Sequence, residues 1–228
     1  MKDNILLEDA LLLIEQNFYF LHMGEFFACL SKKVDLSTKH DLRIKKQFPT
    51  KEEYSFNPQI IQTLLLDSKD TKDTDTTLFE YFVEMNAIRG MCMAMVEAMR
   101  LEGAFRIFMQ NKLGVQFDSF FDITSFVRNV LSHNIHADMH LSERDYHGTL
   151  QRITRQKRNP NIHLYINYNK DLNEIQSPNE EYSFSCSIDF AALNNQVAFF
   201  DVVSQWELVM LCELCYNLVA SYKVHQND

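Results

Sequence analysis

The sequence is poor in residues that break helices, with five glycines and four prolines among 228 residues. Sandwiches and barrels of many short strands need frequent turns, which Gly and Pro supply most often. Ten methionines, 18 phenylalanines and 46% hydrophobic residues are instead typical of a globular protein with a large apolar core. We therefore expect long helices in a mainly α-helical fold.

Features of secreted and membrane proteins are also missing. Five scattered cysteines, an odd number, do not form a disulfide framework and indicate a reducing compartment. Asp3, Glu8 and Asp9 stand where a signal peptide would have a cationic segment and an unbroken apolar run. Glu15 and Glu25 interrupt the longest apolar stretches, which argues against a membrane span. We expect a cytoplasmic protein without a membrane partner.

Positive charge is scarce overall, because 22 Lys and Arg stand against 31 Asp and Glu for a net charge of -9. Residues 171–228 carry most of the acidity, with one Lys or Arg against nine Asp or Glu. Two stretches are locally basic: residues 32–51 hold seven Lys or Arg against two Asp, and residues 152–158 hold four and no acid. Either stretch could steer a polyanion, and either could equally be a solvated loop.

Helical periodicity accounts for most of the chain. It predicts one long helix over residues 5–30, followed by a loop-rich segment at 31–76 with one or two helical turns at 60–66. Thr77 and Glu80 form a capping-box pattern that opens the next helical region, and Gly114 ends it after Leu113. Methionines at helical spacing in this region favour core filling over a binding surface.

The period changes to two near residues 161–190, which predicts two half-buried strands joined as a small antiparallel β-ribbon. A final helix over 201–223 opens with Ser204 and Glu207 in capping-box register and carries Trp206 on its apolar stripe. We expect a single domain over residues 1–228, an up-and-down bundle of four to five helices with the β-ribbon as an insertion.

Residues 122–140 hold more potential chemistry than any other segment, on a helix that we expect Asp118 or Asp122 to cap. Asn129 and His133, four residues apart, would share one face of this helix. His136 and His140 would continue this polar face, and Arg128 flanks it. The opposite side is apolar, as in a helix that carries a functional site on its exposed face.

Metal and redox sites are alternatives that we weigh and do not favour. The histidines offer imidazole ligands, but His133 and His140 would lie about 10 Å apart along one helix and could not reach the same ion. Cys212 and Cys215 form a C-x-x-C pair inside an apolar helix, without the second pair that a zinc ribbon needs. We interpret them as core cysteines and expect no cofactor and no metal.

An R-N-x-x-x-H pattern occurs twice in the sequence. The copy from Arg128 to His133 lies within an amphipathic helix of the predicted bundle. The copy from Arg158 to His163 contains Pro160 and runs into a predicted strand, so its residues cannot share a helical face. Context therefore favours the first copy as a site.

An Arg followed by Asn, with a His five residues after the Arg, on a late helix of a bundle resembles the HEPN superfamily (higher eukaryotes and prokaryotes nucleotide-binding domains). The resemblance implies a homodimer in which two motif helices face each other across a composite cleft. It also implies a metal-independent endoribonuclease of a toxin, phage-defence or RNA-processing system, with RNA as substrate and an antitoxin or other protein as a further partner.

Carried over to this chain, the resemblance implies that Arg128 binds the scissile phosphate, Asn129 orients the substrate or the histidine, and His133 is the general acid/base. His136 could serve as the second acid/base. Family members regulated by modification of a tyrosine carry it two residues after the histidine, where this chain has Ile135. The predicted RNA-binding residues are Arg152, Arg155, Lys157 and Arg158.

The residues also fit the chemistry without the resemblance. Attack of a ribose 2′-hydroxyl on the adjacent phosphate needs a base that works near neutral pH, which His supplies. It also needs a fixed cation to offset charge on the phosphorane, which Arg supplies through paired hydrogen bonds. The alternative that we keep is a non-catalytic HEPN-like interaction module, whose acidic C-terminal part binds a partner protein.

Overall fold

The computed structural model describes residues 2–31, 42–46, 52–56, 78–101, 103–133, 139–167 and 183–227. The helices are α1 (Lys2–Ser31), α2 (Leu78–Arg100), α3 (Ala104–Leu113), α4 (Phe117–His133), α5 (Glu143–Arg155), the one-turn α6 (Phe199–Val202) and α7 (Gln205–Asn227), with a 3-10 turn (Gly114–Gln116) before α4. Two antiparallel hairpins pair β1 (Leu42–Lys46) with β2 (Glu52–Phe56) and β3 (Asn161–Asn167) with β4 (Ser183–Asp189). The mainly α-helical class with a small β-ribbon is confirmed.

Contacts within the chain separate it into two compact units, Met1–Phe18 with Ala87–Asp228, and Tyr19–Asn86. The second unit holds the β1–β2 hairpin, which was not predicted from the sequence. Each of these strands is five residues long and gives too few alternations for a period of two to stand out. The helical turns predicted at 60–66 and the cap at Thr77 lie outside the described residues.

In the unit Tyr19–Asn86, the later part of α1 packs closely on the first part of α2. Leu21 is 1% exposed and Val83 is buried as well. A Cβ atom at Gly24 would lie 2.2 Å from a Val83 methyl carbon, so a side chain at this position would force the two helices apart. Gly24 is therefore required for the packing of this pair.

In the larger unit, the first part of α1 is buried against α7, as expected for a long helix that contributes to the core. Phe18 stacks on Tyr216 with ring centroids 4.1 Å apart, and Glu15 pairs with Lys223 at 2.7 Å. Ile14 is fully buried. Across the described ranges, no helix combines the length and the apolar character needed to cross a membrane.

The core of this unit confirms the interpretation of the methionines. Met91, Met95 and Met99 on α2 are all fully buried. Phe126 on α4 packs edge-on against Phe190 with ring centroids 5.5 Å apart, an arrangement that aromatic quadrupoles favour. The apolar side of α4 is thus fixed against the end of the β3–β4 ribbon, which orients its polar side.

The β3–β4 ribbon has the predicted two-sided character. Leu164 pairs with Cys186, and both are buried, as are their neighbours two residues away along each strand. His163 and Tyr165 alternate with them and are exposed. Because two strands alone are only marginally stable, packing on α4 and α7 completes the ribbon.

Two predicted helix boundaries are confirmed, the end of α3 and the start of α7. Gly114 follows α3 with a φ of 51°, and its N–H donates to the main-chain oxygen of Gln110. Ser204 donates from its N and Oγ to Glu207 Oε2, at 2.8 and 2.7 Å, as the cap of α7. The prediction that Trp206 lies on the apolar stripe is wrong, because Trp206 is 69% exposed in the first turn of α7.

Candidate active site

Helix α4 begins earlier than the sequence predicts, at Phe117. Asp122 is therefore not its cap: it lies inside the helix and is completely buried. Arg152 donates from Nε to Asp122 Oδ1 at 2.8 Å, and Arg158 binds the other carboxylate oxygen. A carboxylate without solvent contact needs such paired charges, so Asp122 is the anchor of a buried ion cluster.

Two of the four predicted RNA-binding residues belong to this ion cluster. The side chains of Arg152 and Arg158 are 27% and 23% exposed, with both guanidinium groups held by the same buried carboxylate. Arg152 also lies over the ring of Phe121, at 4.4 Å from its centroid. These contacts favour a structural role for both arginines, whereas Arg155 and Lys157 are exposed.

The exposed end of α4 carries His133, whose imidazole is held by Asp145 on α5. His133 Nδ1 lies 3.2 Å from Asp145 Oδ1, and the His133 side chain is 40% exposed while Asp145 is completely buried. The second carboxylate oxygen of Asp145 accepts hydrogen bonds from Ser142 N and Ser142 Oγ, both at 2.7 Å. The cap of α5 therefore positions the carboxylate that orients the histidine.

The contact has a chemical consequence for His133. When Nδ1–H donates to a carboxylate, the neutral imidazole carries its lone pair on Nε2. That nitrogen can then take a proton from a substrate, and the carboxylate of Asp145 stabilises the imidazolium ion that forms. The pair is thus able to act as a general base.

Asn129 reaches the same part of α5. Its Nδ2 donates to the main-chain oxygen of Asp145 at 3.2 Å. The prediction that Asn129 and His133 share a face of the helix is confirmed, since both bind the first turn of α5. Asn129 therefore helps to hold α4 and α5 in register beside the histidine.

Asp145 was not predicted as a site residue from the sequence. A signal was present, because Ser142 and Asp145 form an S-x-x-D capping pattern shortly after the motif helix. This pattern predicts where α5 begins. It does not predict that the capping carboxylate also contacts a histidine on another helix.

Arg128 is partly buried and lies on a different side of α4. Five residues separate it from His133, which places the two side chains about 140° apart around the helix axis. Arg128 Nε is buried without a hydrogen-bond partner among the described residues. Burial and the nearby positive charge of Arg100 lower the pKa of Arg128, while Glu97 acts in the opposite direction. A guanidinium group in this position favours binding of an anion.

The prediction that His140 lies on the motif helix is wrong. Helix α4 ends at His133. His140 lies instead in an extended segment that forms an antiparallel bridge with Ala198. Leu141, 2% exposed, anchors this segment in the core. His136 lies outside the described residues, and its predicted role stays a prediction.

The second R-N-x-x-x-H copy is divided between different elements, as its proline predicts. Arg158 follows α5 and belongs to the ion cluster of Asp122. His163 lies on β3, where its Nδ1 is 2.6 Å from Ser187 Oγ on the neighbouring strand. The two residues do not form a common site.

The interpretation of the C-x-x-C pair as core is confirmed. Cys212 and Cys215 are both fully buried, and burial raises the pKa of the Cys215 thiol well above its ordinary value. Among the residues that the structure describes, no group of three or more His, Cys, Asp and Glu side chains is placed to hold a metal ion.

A separate cavity of about 650 Å³ lies between the end of α3, the 3-10 turn and the end of β3. Its lining residues are Asn111, Lys112, Leu113, Gly114, Val115, Gln116, Tyr165, Ile166 and Asn167. The predicted site residues are not part of this lining. The candidate site is instead the exposed end of α4 with the first turn of α5.

Comparisons of the chain with models of known protein families, with curated proteins and with solved structures found no significant match. Fold and site together define a mainly α-helical protein with a surface His–Asp pair and a partly buried arginine nearby on the same helix. The function is therefore inferred from this geometry.

Proposed function

We propose that this protein is a HEPN-like, metal-independent endoribonuclease that acts in the cytoplasm as a toxin or phage-defence component. The observation that carries the proposal is the contact between His133 and the buried Asp145. It gives one imidazole a fixed orientation, a fixed tautomer and access to solvent. These are the properties that a general acid/base requires.

The proposed reaction begins when His133 Nε2 removes the proton of a ribose 2′-hydroxyl. The 2′-oxygen attacks the adjacent phosphorus, and the bond from phosphorus to the 5′-oxygen of the next nucleotide breaks. The products are a 2′,3′-cyclic phosphate and a 5′-hydroxyl group. A positioned base of this kind contributes about 10²- to 10⁴-fold to the rate.

Arg128 supplies the positive charge in this proposal. The negative charge of Glu97 offsets only part of the positive charge here, because Arg100 is close to Arg128 as well. A phosphate group bound there would relieve the repulsion between the two arginines. In the transition state, a bidentate arginine would stabilise the additional charge on the phosphate oxygens.

The geometry of α4 favours a second copy of the chain in the complete site. Arg128 and His133 of one chain face directions about 140° apart, so one phosphate is reached more easily by Arg128 of one protomer and His133 of the other. A homodimer through the exposed end of α4 would also bring a second histidine, which can protonate the leaving 5′-oxygen. Symmetric dimers are the commonest assemblies of soluble proteins.

The proposal is tested with purified wild-type protein and the His133→Ala and Arg128→Gln variants, incubated with end-labelled RNA in excess chelator. The wild type is expected to cut the RNA, and His133→Ala to lose about 10²-fold or more of the rate. Thermal melting of each variant distinguishes loss of chemistry from loss of fold. Equal cutting by wild type and a folded His133→Ala variant would overturn the proposal.

A non-catalytic interaction module is the second candidate, and one observation favours it. The single tryptophan, Trp206, is 69% exposed, near Asp201 and Glu207 in the acidic C-terminal part. Exposed tryptophans are enriched at the centres of protein interfaces. In this case the wild type would not cut RNA, and Trp206→Ala would weaken binding of a basic partner protein without loss of the fold.

A further inference from the structure

The outer face of α5 is exposed along its whole length. Residues at helical spacing form this face: Arg144, His147, Gly148, Gln151 and Arg155. The opposite face is buried, with Asp145, Thr149 and Ile153 each 2% exposed or less. The first turn of α5 therefore contacts His133 with one side and presents a separate surface to solvent with the other.

Gly148 lies in the middle of this outer face, inside the helix. A Cβ atom built there meets nothing within 4 Å. Gly24 and Gly90 differ, because a Cβ atom there would lie 2.2 Å from Val83 and 2.4 Å from Asn17, respectively. Glycine destabilises a helix interior relative to alanine, so a glycine with open space around it is not explained by packing of the chain itself. A close approach by another molecule would explain it.

The charges around Gly148 indicate which molecule approaches. Arg144 lies one turn before it and Arg155 two turns after it, about 16 Å apart along the axis. Lys157 extends the positive charge just beyond the helix. Glu143 is the exposed acid in the first turn of the helix. It lies 3.6 Å from His147. A row of cations on both sides of a gap suits a polyanion whose backbone carries regularly spaced phosphates.

We propose that the outer face of α5 binds the sugar–phosphate backbone of single-stranded RNA. Arg144, Arg155 and Lys157 contact phosphates, and the missing side chain of Gly148 lets the backbone lie against the helix. Gln151, whose Nε2 lies 2.7 Å from His147 Nε2, donates a hydrogen bond from its second N–H. This inference rests on the proposed function, because it assigns a track that binds the proposed substrate. It replaces Arg152 and Arg158, which are held by Asp122, with Arg144 as a substrate contact.

The test uses the His133→Ala protein, so that cleavage does not interfere, and measures binding of a fluorescently labelled single-stranded RNA by anisotropy at several salt concentrations. Gly148→Gln is expected to raise the melting temperature, because Gln is the better helix former, and to weaken RNA binding at least about tenfold. Arg144→Gln and Arg155→Gln should each weaken binding and lower the salt slope by about 0.7.

Gln110→Glu is the matched control, because it changes the net charge by the same amount at an exposed position on α3. It should leave affinity and salt slope unchanged. If Gly148→Gln and both arginine variants bind RNA like the parent protein, the proposed track is wrong, even if wild type cuts RNA. If wild type neither binds nor cuts RNA, the proposed track and the proposed function both fall.

Discussion

His133 and Asp145 are 3.2 Å apart, measured from Nδ1 to Oδ1, although they belong to different helices. Asp145 is completely buried, and its other oxygen is held by Ser142 at the start of α5. The orientation of the imidazole on α4 therefore depends on how α5 begins.

Asp145→Asn should reduce RNA cleavage through kcat while KM changes little, because the substituted residue positions His133 and does not touch substrate. Hydrogen bonds to charged groups contribute about 1.5–3 kcal/mol, which corresponds to about a 10- to 100-fold loss. The measurement is a set of initial rates at varied RNA concentration. A KM increase at constant kcat would instead indicate a role in substrate binding.

Two helix caps offer a matched comparison. Ser142→Ala and Ser204→Ala should each lower the free energy of unfolding by about 1 kcal/mol, since each residue caps a helix. Only Ser142→Ala should also slow cleavage, because Ser142 holds the carboxylate that orients His133. Urea unfolding and cleavage rates are measured for both. Equal cleavage rates in the two variants would show that the cap of α5 does not contribute to the site.

The ion cluster of Asp122 should be required for stability. Asp122→Ala leaves Arg152 and Arg158 without their buried partner and should cost about 3 kcal/mol of unfolding free energy. Asp118→Ala is the control, because Asp118 lies in the first turn of the same helix and its loss should cost less than about 1 kcal/mol. If Asp122→Ala lowered the unfolding free energy no more than Asp118→Ala, this role would be contradicted.

The cysteines should be unreactive in the folded protein. Cys92, Cys186, Cys212 and Cys215 are buried as free thiols. Burial raises the pKa of Cys92 to about 12, so the thiolate needed for reaction is scarce at pH 8. Titration with a thiol reagent should find these four thiols reacting slowly without denaturant and rapidly with it. Fast reaction of all of them in the native state would contradict their burial.

The same pKa shift predicts how stability depends on alkaline pH. A thiol that stays neutral in the folded protein but ionises in the unfolded chain makes unfolding easier once the pH exceeds the ordinary value of 9.0. The contribution of Cys92 to stability is complete below that pH and is lost as the pH rises towards about 12. Urea unfolding of wild type and Cys92→Ala at pH 8 and pH 10 measures this difference.

Much of the fold could be predicted because its signals are local. Gly114 and the Ser204–Glu207 cap act within one helical turn, so their sequence patterns determine where α3 ends and α7 begins. The placement of His140 depends instead on the distant pairing of residues 139–141 with 197–199. A helical period alone does not contain that information.

The site was predicted only in part, for the same reason. Asn129 and His133 share a face by helical spacing, which the sequence shows directly. Asp145 joins them through the packing of α5 on α4, and Asp122 was misread because a capping carboxylate and a buried ion partner look alike in sequence. Side chains brought together from separate helices require the tertiary structure.

The most direct measurement is the chemistry of the RNA ends after incubation with wild-type protein and with His133→Ala in excess chelator. We predict fragments that end in 2′,3′-cyclic phosphate from the wild type and about 10²-fold fewer from the variant. Fragments with 3′-hydroxyl ends, or equal cutting by a folded His133→Ala variant, would contradict cleavage by His133.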